Sequence, residues 1–528
     1  MILIKEIFSG KVKTHAAIFF ASFLFLLIFS TSTSPLYDSW GDDSAIFQAV
    51  GRGWAEGLLP YVDLFENKGP LIFLIDAIGY SIAPRVGIFL LQIPAMYLSF
   101  LLAWRSLGIF LSGKMKLAAA IFMFMHYAIY TLDGNRTEEW SMPFLMAATY
   151  FFLRGLKAEK FSCPPLYGFI YGLGFGTCVL LRTTNAAPLC LCAFLSAVFL
   201  IQAGEFKTLL KNLLNFCAGA VIVVLPFVIY FAAHGALYDA LYGTILLNLN
   251  YTANASSYPL NEIYFWYVVT NFFPLILLLL SSFLALIKQR NNLTVSGFFI
   301  GVAMLIFMIK LRPYIGYCVL IIPTIPFLFI IADRIIEIYS APFKKLIQKR
   351  GFSLKRLTIN FLIACLAMIG VLWLYIYGHI FYGTLKNIFV EEYFAKREPI
   401  EFLQLKESIP EDERNSFVTW GRSGFISHWI LITGMKSREK FFGYIKSFGD
   451  VDPSIRKNWF KNINDNPPQW ILYCWKVNEL FKRDKDTVEF KFLSNKDEEL
   501  EKILQEKYHL KDMRRVSRQI MKLYRLKD

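Results

Sequence analysis

The sequence predicts an α-helical polytopic membrane protein that ends in a small α/β domain outside the membrane. Three observations carry this. Of 528 residues, 56% are hydrophobic, 17% aromatic and 18% charged, against roughly 25% charged in a soluble domain. Apolar runs of about 18 to 22 residues recur along the first three quarters of the chain, each near the length that crosses roughly 30 Å of hydrocarbon at about 1.5 Å per residue. After residue 383 the composition changes to dense charge of both signs.

Taken in order, the crossings fall at residues 15–33, 87–107, 116–131, 141–156, 165–182, 186–203, 213–233, 264–287, 295–311, 314–332 and 359–382, about eleven by hydropathy. Short-loop cations set the orientation. Lys5, Lys11 and Lys13 precede the first run, and alternate loops carry Arg105, Lys114 and Lys116; Arg154, Lys157 and Lys160; Lys207 and Lys211; Lys288 and Arg290; and Lys344 to Arg356. By the positive-inside rule the N-terminus is cytoplasmic, and the 34–70 loop and the tail lie outside. The first run has no small-residue cleavage site followed by soluble sequence and is read as an uncleaved anchor.

The net charge of +15 sits largely in those cytoplasmic loops, where topology and anionic lipid explain it, so a nucleic-acid partner is excluded. Eight cysteines fall mostly in or near the spans without metal-ligand spacing and are read as small core residues; six scattered histidines add no metal signature. The glycines of "GLGFG", residues 172–176, lie inside an apolar span and are read as close helix packing. In the tail, 383–528, "NSFVTWG", "PPQWILYC" and "TVEFKFL" read as strands and "DEELEKILQEKY" as a helix.

The first loop crowds Asp42, Asp43, Asp63, Glu66 and Lys68 just past the first crossing. Ile46, Ala49, Val50 and Trp54 fall on one helical face and Gly57 suits a C-terminal stop, so a short helix on the membrane surface is expected. Asp42 and Asp43 then stand at its N-terminus, where free amides and the helix dipole favour a carboxylate. Helix capping alone would account for Asp43, and snorkelling at a helix end for Lys68. The combination is more specific. "PYVDLFENKGP", residues 60–70, sets the Lys68 ammonium at interface depth, where a lipid phosphate would be.

An acidic pair after the first crossing, a helix, and a Tyr-x-Asp…Lys-Gly-Pro segment resemble the polyprenol-phosphate-dependent membrane glycosyltransferases of the GT-C class, near the bacterial branch related to protein O-mannosyltransferases and lipid A aminoarabinose transferase. The motif match is confined to residues 37–70. The resemblance implies a GT-C-like membrane domain over 1–382, with 34–70 as its catalytic loop, and a soluble periplasmic domain over 383–528, in the bacterial inner membrane. It implies Asp43 as the catalytic acid residue with Asp42 beside it, and Lys68 on the donor phosphate. A second acidic site falls on Glu138 or Glu139 in "NRTEEW".

Arg182 and Arg312 are further candidates for the donor phosphate, although both are also placed to snorkel at the interface. Arg312 resembles a family pattern of Arg followed by aromatics, with Gly316 where a His often stands. Glu138 and Glu139 would equally suit the dipole of a helix start and a pair with Arg136. Two acidic sites could hold a divalent cation, Mg or Mn, which is left open. The implied partners are a polyprenyl-phosphate sugar, membrane lipid and an envelope glycan, lipid or protein acceptor. Segment 234–262 is placed to cover a lipid entrance or acceptor groove. The rivals are a transporter or flippase of lipid-linked saccharides, an envelope polysaccharide polymerase or ligase, and a non-catalytic scaffold. No inverted halves or midplane charges point to the transporter.

Overall fold

A computed structural model of the protein describes residues 8, 11–253, 262–311, 313–348, 378–386, 400–421, 423–443, 445–481, 490–494, 497–516 and 519–528. The chain divides into two compact units, one of residues 1–30, 92–226 and 257–394, the other of residues 31–91, 227–256 and 395–528.

The first unit is helical. Among the described residues of the chain six helices are long and apolar enough to cross a membrane, seven when one bent pair counts as a single span. This is a multi-pass membrane protein. These seven coincide with predicted crossings. The runs at 116–131, 141–156 and 165–182 are helices as well, Gly113–Tyr130, Thr137–Lys157 and Pro165–Leu181; the first two carry charged residues near their ends and the third has 17 residues. The run at 359–382 lies outside the described residues apart from its last five. The predicted crossing at 264–287 is broken: Tyr264–Asn271 and Phe273–Lys288 meet at 64°. Pro274 stands in the first turn of the second piece, where it supplies no amide donor to carry the hydrogen-bond ladder of the first piece onward.

Aromatic packing ties the first helix, Val12–Phe29, to its neighbours, with the Phe25 ring 5.4 Å from Phe100, 5.3 Å from Phe124 and 5.2 Å from Tyr127. The glycine-rich span meets Phe206–Ala233 backbone to backbone. A Cβ on Gly168 or Gly172 would overlap the carbonyl oxygens of Asn212 or Phe216, and one on Gly176 would lie 2.9 Å from that of Ala220. Glycines four apart line one helix face and let the backbones touch.

In the second unit the tail forms a mixed sheet, in the order β1-β2-β5-β4 with β3 also on β2. The strands are β1 Phe417–Gly421, β2 Trp470–Phe481, β3 Phe490–Ser494, β4 Tyr508–Val516 and β5 Gln519–Leu526. β1 and β2 are parallel and the other pairs antiparallel. Val418 and Trp420 point to a core built with Trp459, Phe460, Leu500 and Leu504 from helices Pro453–Asp465 and Glu498–Lys507. On alternate positions Phe417 meets Trp429 of helix Ser423–Thr433, ring centroids 5.1 Å apart, as the two-residue period of a strand requires.

The predicted strands at 417, 470 and 490 and the helix at 498 are all present. β4 and β5 are additional; their lysines and arginines obscure the alternation that marks a strand. The loop and tail, read from sequence as parts of different domains, fold together here, because helix Asp43–Ala55 packs between Pro70–Ile82 and Ser423–Thr433.

Gly172→Leu is expected to force the two spans apart and to cost about 1–3 kcal/mol, the usual range for overpacking. Thermal unfolding in detergent reads this as a lowered midpoint; an unchanged midpoint would show that the glycine contact is dispensable.

Candidate functional site

Helix Asp43–Ala55 ends as its sequence dictates. Gly57, at φ +92°, takes the left-handed position. Its amide donates to the Trp54 carbonyl and the Leu58 amide to that of Gly53, the paired bonds of a Schellman stop. At the other end Asp42 occupies the N-cap position but makes no side-chain capping bond, and Asp43 lies in the first turn. The expected surface helix is instead buried over Ser44–Gly53, its apolar face taken by protein.

Asp42 serves a different helix end. Gly424 stands at the start of helix Ser423–Thr433, and a Cβ there would overlap the Asp42 carboxylate, with Asp42 Cγ and its carbonyl oxygen each 2.9 Å away. At the far end Arg52 donates to the carbonyls of Ile430 (3.0 Å) and Gly434 (3.1 Å). The two helices therefore run parallel, with the Asp42 carboxylate beside the amide end of the tail helix and the Arg52 guanidinium on its carbonyl end, charges of the sign the helix dipole favours. Arg52 also holds Glu56 at 2.8 Å, and Lys436 reaches the same carboxylate at 2.9 Å.

The Lys68 loop is pinned by its backbone. The Tyr61 hydroxyl donates to the Lys68 carbonyl (2.7 Å), and the Asn248 amide donates to the Asn67 carbonyl (2.7 Å). Phe65 packs among Phe441 and Phe448 of the tail, centroids 4.7 and 5.4 Å away, and its amide donates to the Lys440 carbonyl. Asn248 follows a π-helical turn, Tyr242–Leu246, whose Gly243 admits the Tyr61 ring. The described part of the segment expected to cover a groove, up to residue 253, thus backs the Lys68 loop, and residues 254–261 of it lie outside the described residues. Gly69 and Pro70 then start helix Pro70–Ile82, with Pro at N1, where its missing amide is of no consequence.

On this frame the Lys68 ammonium lies 3.3 Å from Glu66 and 2.8 Å from the Asn67 side-chain oxygen. Glu66 is buried. Burial pushes its carboxyl above the ordinary value, Lys68 pulls it down, and the charge of Asp43 pushes it up again. Asp43, Glu66 and Lys68 therefore form one electrostatic cluster, with the lysine a fifth exposed. Asp63 is outside it, accepting from the Leu59 amide in an exposed turn. Arg85 steadies the approach to Asp42, donating to the Ser39 carbonyl and pairing with Asp38 at 3.7 Å.

The first unit holds the remaining candidates. Glu138 and Glu139 are buried in the first turn of Thr137–Lys157. The expected Arg136 pairing holds for one of the two acids: the charge and backbone amide of Arg136 act on Glu139, while its guanidinium closes on Asp133 at 2.7 Å and lies over the Tyr314 ring, and Glu138 is taken by Arg182 at 2.9 Å. Arg182 also lies 4.1 Å over the Tyr317 ring, so it is engaged within the protein rather than reaching for the interface. Gln92 donates to Glu139 at 2.9 Å and to Ser30 at 3.1 Å. Arg312 lies outside the described residues. Among the described residues no three His, Cys, Asp or Glu side chains gather as a metal site.

Nothing local in the sequence marks Gln92, Tyr317, Asn248 and Arg52 as partners of the candidate residues and their loop. Only spacing along the chain was available, and each of these acts on a residue tens to hundreds of positions away.

A crystal structure of ArnT from Cupriavidus metallidurans bound to undecaprenyl phosphate matches 97% of this chain over 98% of its own, with a TM-score of 0.56 at 11% identity. The chain has a GT-C fold. The Archaeoglobus fulgidus oligosaccharyltransferase, solved with a tethered acceptor peptide containing the NVT sequon, matches 88% of the chain over 69% of its own, at a TM-score of 0.47 and 11% identity, too loose a likeness to argue from. No family profile and no curated protein sequence matches. In this GT-C chain the acid-and-lysine loop and the tail belong to one compact unit.

Gly424→Ala is expected to destabilise the second unit by about 1–3 kcal/mol by driving a methyl group into the Asp42 carboxylate, read as a lower unfolding midpoint. The Glu66 carboxyl is raised in the folded chain, so the folded state holds that proton more tightly than the unfolded one. This favours folding fully below the unfolded value of about 4.3, and the advantage is lost as pH rises through the folded value. Glu66→Gln should remove that slope, gaining stability relative to wild type as pH increases; parallel pH profiles of the unfolding midpoint would contradict the assignment.

Proposed function

We propose that the protein is a membrane glycosyltransferase that passes a sugar from a polyprenyl-phosphate carrier to a cell-envelope glycan, lipid or protein on the exterior face of the bacterial inner membrane. The observation that carries this reading is the Glu66–Lys68 pair, held on a braced loop, with the charge of Asp43 acting on the same carboxyl. The GT-C fold shared with a protein solved with undecaprenyl phosphate supports it.

In this reading the Asp43 carboxylate takes the proton of the acceptor hydroxyl as that oxygen attacks the anomeric carbon. The bond from the anomeric carbon to the phosphate oxygen breaks, polyprenyl phosphate leaves with the electron pair, and the anomeric configuration inverts. The donor already carries a good leaving group, so the protein has to bind phosphate charge and accept one proton. Lys68 supplies the charge, and buried Glu66 and Asn67 orient its ammonium. Asp42 positions Asp43 through the contact with Gly424. Arg182, Arg312, Glu138 and Glu139 remain candidates for phosphate and acceptor binding. The transferase domain is taken as residues 1–382 and the exterior domain as 383–528, with the N-terminus cytoplasmic.

Purified wild type and Asp43→Asn, given a panel of radiolabelled polyprenyl-phosphate hexoses, pentoses and amino sugars with envelope extract, should differ by about 10²–10⁴ in transfer, the typical contribution of a general base. Full transfer by a folded Asp43→Asn would remove Asp43 from the chemistry. No transfer by wild type from any donor would remove the proposed activity.

A further inference from the structure

Helices Val12–Phe29, Val86–Gly108, Gly113–Tyr130 and Thr137–Lys157 of the first unit line a cavity of about 240 Å³. Its walls are almost wholly apolar, including Ala103, Trp104, Leu107, Ile121, Phe124 and Met146. The hydroxyl of Ser99, also in the wall, is spent on the Ala95 carbonyl of its own helix. From Ser99 to Leu107 the lining follows one helix for about 12 Å at 1.5 Å per residue. Ile121 lines the cavity and keeps about half of its surface accessible, as a residue at the cavity mouth would.

One ring joins this apolar slot to a cation. Trp104 lines the cavity, and the Lys116 ammonium sits 3.8 Å from the centroid of the same ring. Gly108 makes room for it, since a Cβ there would lie 2.7 Å from Lys116 Nζ. Arg105 follows Trp104 in sequence and Lys114 opens the next helix, so three cationic residues surround the turn where the two helices meet. An apolar cavity that shares the Trp104 ring with an ammonium matches a lipid chain joined to an anionic head, and cation clusters at a membrane surface attract such heads.

We propose that this cavity binds an anionic glycerophospholipid, with one acyl chain in the slot beside Trp104 and Ile121 and the phosphate on Lys116. The site shares no residue with the Asp43–Glu66–Lys68 cluster and does not rest on the glycosyltransferase reading.

The test is native mass spectrometry of the full chain in detergent, incubated separately with phosphatidylglycerol, phosphatidylcholine and a polyprenyl phosphate. Wild type is expected to retain phosphatidylglycerol about tenfold better than phosphatidylcholine. Lys116→Gln should abolish that preference, and Ile121→Phe, at the exposed mouth where a larger side chain does not threaten folding, should reduce retention of both phospholipids. Equal retention by wild type, or a preference untouched by both variants in samples with wild-type unfolding midpoints, would overturn the proposal. So would a polyprenyl phosphate that displaces phosphatidylglycerol and is itself lost in Ile121→Phe, because the slot would then belong to an isoprenoid chain.

Discussion

Arg52 closes the last carbonyls of a helix 378 residues further along the chain, and much of the second unit depends on that contact. It fixes the end of Asp43–Ala55 against Ser423–Thr433 while Asp42 fixes the beginning. Helix ends carry unsatisfied amides and carbonyls, and burying them unmatched would be costly. Here each end of the tail helix meets a side chain of suitable charge from the first loop. Asp43 is consequently held on a helix that cannot slide or rotate without breaking a charged contact.

The same matching of buried charge organises the first unit. Arg182, Glu138 and the Tyr317 ring form one engaged group, and Arg136 with Asp133 and Tyr314 another. Removing a single member would leave a buried charge without its partner, which is more damaging than losing the whole pair. Such groups are more rigid than isolated interfacial arginines. Their side chains are ordered by their mutual contacts before any ligand could arrive.

Much of the candidate loop was legible because its information is local. Gly57 stops the helix, Gly69-Pro70 starts the next and Lys68 stands beside it, each through the conformational limits of its own residue type. The broken span near Phe272 was less legible, because a hydropathy profile counts apolar residues and does not register the geometry that Pro274 imposes. β4 and β5 were missed for a related reason: the basic residues along them remove the contrast between faces on which strand recognition depends.

By itself the sequence determined that the chain is multi-pass, that a charged α/β tail follows, and that acids and a lysine gather beside the first span. Hydropathy and residue-specific turn preferences act over a few positions and can be read along a line. The tertiary structure decided the pairings. Arg182 rather than Arg136 is the partner seen on Glu138, Asp42 faces Gly424, and loop and tail make one compact unit. Hydropathy shows that a buried charge needs a partner, but many residues could supply one, and only folding brings a particular one within hydrogen-bond distance.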